Sequence, residues 1–141
     1  MSQVTMALDP GNSTGWVVRI QNSGELIGGT IVEDHAAVWR LLNRWNPHIV
    51  VFETFQMYPS KAQKLVWSTF YPCEVIGIIK LWCSLQGVRI VGLQPSVKKY
   101  ALSNNEQGLW KSVDLEGQVA TEHVRDAVRL LRYYERNKTG Q

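Results

Sequence analysis

Two apolar runs in this chain end in a carboxylate, and that narrows what it can fold into. QVTMALD at 3–9 stops at Asp9, just before Pro10-Gly11, and HIVVFE at 48–53 stops at Glu53. The first reads as a strand closed by a Pro-Gly turn. The second is short and nearly continuous in apolar residues, the pattern of a parallel strand buried on both faces. An acid at the end of such a strand is costly to bury unless something pairs with it.

The remaining elements follow from periodicity and punctuation. GWVVRI at 15–20 reads as a second strand, Asn22-Ser23-Gly24 as a hairpin turn, and ELIGGTIVE at 25–33 as a third strand, which makes an antiparallel meander. HAAVWRLLNRW at 35–45 has apolar residues at helical spacing, with Asp34 as N-cap and Pro47 as stop. A long helical region is expected over roughly 60–86, kinked or divided at Pro72 and ended by Gly87. VRIVGL at 88–93 reads as another buried strand, and Pro95 opens a short helix carrying Lys98, Lys99 and Tyr100. The polar stretch 103–118 reads as a loop, and a last helix is expected over 122–136 with Thr121 as N-cap. The order β-β-β-α-β-α-β-α-α specifies an α/β fold: a mixed five-stranded sheet, three strands as a meander and two parallel, flanked by helices.

A length of 141 residues fits one domain spanning 1–141, and 45% hydrophobic content supports a packed core rather than disorder. The net charge of +3 suits a nucleic-acid partner without requiring one. Cys73 and Cys83 lie ten residues apart, too far to bridge on one helix, and neither has zinc-ligand spacing. Such cysteine usage suggests a reducing compartment. MSQVTMALDP has no signal-peptide pattern, and VIGIIKLWCSL is interrupted by Lys80 and too short to span a bilayer. The expectation is a soluble protein of the cytoplasm with no membrane partner.

A third acidic motif, TEHVRDAVRLL at 121–131, places His123 and Asp126 at i and i+3 on one helix face. Taken singly, each acid has an ordinary explanation. Asp9 can be a turn residue, Glu53 a solvated strand end, and Asp126 a surface partner of Arg125, Arg129 or Lys138. Glu122 competes with Asp126 as the helical acid, and Ala127 favours Asp126 because it permits close packing on the sheet. Together the acids repel unless a divalent cation relieves them, and ligands of open α/β sheets gather at the carboxyl ends of strands. The set therefore reads as a two-metal phosphodiesterase site: Asp9, Glu53, His123 and Asp126 as catalytic and metal-binding residues, with Mg²⁺, or Mn²⁺ substituting.

In LDPGNSTGW, VVFET and EHVRDAVRL the chain resembles the RuvC family of Holliday-junction resolvases, within the ribonuclease-H-like superfamily. The resemblance covers nearly the whole length. Asp9 through Gly15 match the family's Asp-Pro-Gly start and Thr-Gly end on strand one, Glu53 matches the acid ending strand four, and His123 and Asp126 match the last-helix pair. It implies a ribonuclease-H-like fold and two Mg²⁺ ions per active site, with Asp9 touching both. It implies a homodimer making paired nicks in branched DNA, the four-way junction, with 5′-phosphate and 3′-hydroxyl ends. The compact length suggests a phage-encoded member.

Candidate DNA contacts are Lys61 and Lys64 before the long helix, Lys98 and Lys99 after the last strand, and Lys111 beside Trp110; lysines there meet phosphates without reading sequence. A solvated face is the equal alternative for each. Phe55 and Tyr58 are aromatics near Glu53 that can stack on unpaired bases, with core packing the favoured alternative for Phe55. Family members often carry a Phe three residues after the Glu, where this chain has Gln56, and the stretch from Lys99 to His123 is shorter than in bacterial RuvC. Three other classes compete: a nuclease for hybrids or other branched DNA, an actin-like phosphotransferase suggested by DPGNSTGW, and a non-catalytic junction-binding module.

Overall fold

A computed structural model describes residues 3–55, 70–99, 109–117 and 120–138. Its strands are β1 (Val4–Asp9), β2 (Ser13–Ile20), β3 (Leu26–Val32), β4 (Ile49–Glu53), β5 (Arg89–Leu93) and β6 (Asp114–Glu116). Its helices are α1 (His35–Trp45), α2 (Tyr71–Gln86) and α3 (Thr121–Lys138), with short 3-10 turns at Pro95–Lys99 and Leu109–Ser112. The sheet order is β5-β4-β1-β2-β3-β6. β1, β2 and β3 form the antiparallel meander, while β4 pairs parallel with β1, and β5 parallel with β4.

The alternation of side chains along the strands divides the core in two. Met6 and Leu8 of β1, Trp16 and Val18 of β2, and Val50 and Phe52 of β4 face one side, where Val38, Leu41 and Leu42 of α1 and Val75, Ile79 and Trp82 of α2 cover them. Ala7, Val17 and Val51 face the other, under Val124, Ala127, Val128 and Leu131 of α3. β1 is buried along its whole length because it is central and covered on both faces. Trp82 is part of this core, and its indole Nε1 donates to Asn43 Oδ1 at 2.8 Å.

Three expectations need correction. The sheet has six strands, because Asp114–Glu116, inside the stretch read as a loop, pairs parallel with β3. A three-residue polar strand has no periodicity of its own. The edge of β3 supplies its pairing, and Arg44 of α1 donates to both Glu116 oxygens at 2.6 Å. That carboxylate raises the Arg44 guanidinium further above its ordinary pKa. β5, expected to be buried, is an edge strand of the described sheet, with Arg89, Ile90 and Gly92 exposed. Pro72 lies in the first turn of α2, where a missing N–H costs nothing. Residues 56–69, which carry the rest of the expected helix, lie outside the described residues. Thr121 is the first helical residue of α3 rather than its cap. Asp34 does cap α1, accepting from Ala37 N at 3.0 Å.

Among the described residues no helix is long and apolar enough to cross a membrane. The two thiols differ: Cys73 is exposed, whereas Cys83 is buried under the sheet, and burial pushes its pKa up to about 11. Maleimide labelling followed by peptide mass analysis is expected to modify Cys73 in the native protein and Cys83 only after denaturation.

Candidate active site at the carboxyl ends of β1 and β4

The parallel register pairs Ala7 with Val51 and Leu8 with Phe52, so the next step along both strands is Asp9 beside Glu53. Adjacent strands lie about 4.8 Å apart, which makes the two acids neighbours. Both share parity with Ala7 and Val51, so they face the α3 side of the sheet. Asp9 is only 6% exposed, and Glu53 Oε2 is shielded from solvent. The turn after β1 is closed by Thr14: its hydroxyl donates to Gly11 O at 3.1 Å and accepts from Gly11 N at 3.3 Å. β4 and β5 leave the sheet together, since Thr54 N donates to Leu93 O at 2.8 Å.

The helical half of the site is brought in by two devices. The antiparallel register places Gly15 opposite Asp9. A Cβ built on Gly15 would lie 2.0 Å from His123 O and 2.9 Å from His123 Cβ, so the first turn of α3 rests directly on the β2 backbone, one strand from Asp9. Thr30 of β3 then fixes where that turn begins. Its hydroxyl accepts from Ala120 N at 3.1 Å and donates to Ala120 O at 3.4 Å. Thr30 carries no local signature in a strand, and Gly15 is visible in the sequence only as the start of a strand and the end of the Thr-Gly match.

On α3, His123 Nε2 stands 3.6 Å from Glu122 Oε1, and Glu122 itself is 83% exposed. Asp126 accepts from Arg129 Nη1 at 3.0 Å. The sheet end thus gathers Asp9 and Glu53 side by side and His123 over Gly15, and Asp126 follows three residues along α3. Among the described residues, however, no three His, Cys, Asp or Glu side chains are placed to hold a common ion. The donor chemistry fits a hard divalent cation: neighbouring carboxylates at a sheet end, with one largely buried. The arrangement of the third carboxylate does not complete the set.

Of the candidate nucleic-acid contacts, Phe55 lies just beyond β4 and is 38% exposed, and Lys111 is exposed on the Leu109–Ser112 turn. Lys98 and Lys99 end the Pro95–Lys99 turn, whose Val97 packs in the α3-side core; their side chains lie outside the described set. Tyr58, Lys61 and Lys64 lie outside the described residues.

The structure is similar to T. thermophilus RuvC in complex with Holliday junction substrate, with a TM-score of 0.66 and 20% identity, covering 95% of each chain. It is similar also to a second Thermus thermophilus RuvC structure, with a TM-score of 0.61 and 18% identity, covering 97% of this chain and 98% of that one. No protein-family model matches the sequence, and no curated protein matches it significantly. The chain thus has the ribonuclease-H-like fold of RuvC.

Gly15→Ala is expected to cost about 3 kcal/mol of stability, because the added methyl meets backbone that cannot rotate away. Thermal melts check this, with Gly24→Ala, whose Cβ meets nothing within 4 Å but whose φ of +74° carries its own strain, as the milder comparison.

Proposed function

We propose that this chain is a structure-selective DNA endonuclease that resolves four-way junctions by metal-dependent phosphodiester hydrolysis. The observation that carries the reading is the RuvC fold over nearly the whole chain, with Asp9 and Glu53 adjacent at the carboxyl ends of β1 and β4. The T. thermophilus relative was solved with a Holliday junction, and that substrate class is transferred here as part of the proposal.

In this reading Asp9, Glu53, Asp126 and His123 hold Mg²⁺, or Mn²⁺ in its place. When bound, two such ions supply the charge stabilisation for hydrolysis that leaves a 5′-phosphate and a 3′-hydroxyl. Asp9 is central because it lies between Glu53 on one neighbouring strand and the α3 turn over Gly15 on the other. As the alternative to ligation, His123 Nε2, 31% exposed on its side chain, is suited to hand a proton to the departing 3′ oxygen. Phe55 is offered to unpaired bases beside Glu53, and Lys111 to phosphates. One chain carries one such site, so paired incision of two strands requires a two-fold homodimer.

A synthetic four-way junction, with linear duplex, flap and RNA–DNA hybrid controls, tests this in Mg²⁺, Mn²⁺ or EDTA. Symmetric, metal-dependent nicks confined to the junction are expected. Equal cutting of flaps or hybrids would replace it with a broader nuclease, and binding without cutting would replace it with a binding module. Asp9→Asn, Glu53→Gln and Asp126→Asn are each expected to slow cutting by more than about 100-fold while junction binding persists in gel shifts. Wild-type rates in any of them would remove that residue from the site. Junction affinity is expected to fall by about a thousandfold between roughly 50 and 200 mM salt if about six phosphates are contacted. A flat salt titration would contradict phosphate-led binding.

A further inference from the structure

Among the candidate donors, Asp126 is held by a cation. Arg129 Nη1 donates to its Oδ1 at 3.0 Å, one turn along α3, and the two side chains are 33% and 27% exposed, Arg129 first. The other acids of α3 are placed differently. Glu122 points outward at 83% exposure. Glu135 is clasped by Arg19 of β2 and Arg132, far along the helix from the strand ends. Arg129 is thus a positive charge on the α3 carboxylate that lies three residues after the His123 seat on Gly15.

A carboxylate oxygen that accepts from a guanidinium offers fewer lone-pair directions to a cation, and the guanidinium's own positive charge repels the incoming ion. This matches the incomplete donor set: Asp9 and Glu53 are adjacent, yet no third acid or imidazole joins them among the described residues. We propose that Arg129 is a resident counter-cation for Asp126, which a divalent ion must displace before the site loads. The inference rests on the metal-site reading above and deepens it. Arg129 sets the ion concentration at which the site fills, because a binding-competent state that is only partly populated lowers apparent affinity by that fraction.

The test is Mn²⁺ binding by the full chain without DNA, followed by calorimetry and by the loss of the free-ion paramagnetic resonance signal. Arg129→Gln is expected to bind Mn²⁺ about fivefold tighter than wild type, the upper range for one partly exposed ion pair. Arg125→Gln removes the same charge from the residue beside Asp126 and is expected to change affinity less than about twofold. In an Asp126→Asn background, Arg129→Gln is expected to have no effect, as the double-mutant cycle requires. Arg129→Lys keeps the charge but loses the planar fork, and should bind with intermediate affinity even if Arg129→Gln is poorly folded. Equal tightening by Arg125→Gln, or an undiminished Arg129→Gln effect in Asp126→Asn, would overturn the counter-cation role while leaving the metal site standing. Absence of Mn²⁺ binding in wild type and Arg129→Gln alike would overturn the metal-site reading, and this inference with it.

Discussion

The backbone of α3 crosses β2 at Gly15 with no space beneath it for a side chain. This contact sets the distance between the sheet and the helix, and the α3-side core follows from it. Val124, Ala127, Val128 and Leu131 then reach Ala7, Val17 and Val51, small and branched residues that suit a close helix. The same contact carries His123 to the strand end where Asp9 sits. Thr30 reinforces it by tying Ala120 to β3, so the helix is fixed by its backbone and not only by apolar burial.

That placement collects negative charge at one end of the sheet. A nearly buried Asp9 and a partly buried Glu53 are tolerated in the protein only because charge balance is available nearby, or is brought by a ligand. The structure shows one instance directly in the Asp126–Arg129 pair. Elsewhere the molecule handles charge in an ordinary way, by pairing carboxylates with arginines, Glu116 with Arg44 and Glu135 with Arg19. These pairs join elements that are distant in sequence: α1 to β6, and β2 to α3.

Much of the architecture was legible in advance because its signals are local. The Pro-Gly turn after Asp9, the Asn-Ser-Gly hairpin, the Asp34 cap and the continuous apolar run before Glu53 each act within a few residues, and each appears in the structure as expected. The failures share a different cause. β6 exists because β3 offers an open edge and Arg44 reaches Glu116. The start of α3 is held by Thr30 from ninety residues away, so Thr121 has no capping duty. The apolar run of β5 reads as buried, yet the strand lies at an edge of the described sheet and is largely exposed.

The candidate site divides along the same line. The sequence by itself determined which residues are acids, that Asp9 and Glu53 end strands, and that His123 and Asp126 share a helix face, because strand ends and helical spacing are properties of short segments. Only the tertiary structure decided that β1 and β4 are parallel neighbours in a register that sets Asp9 beside Glu53. It alone showed that Gly15 is the opening through which α3 approaches, and that Arg129 holds Asp126. Register and helix seating depend on how surfaces far apart in the chain fit together, and no local pattern encodes that fit.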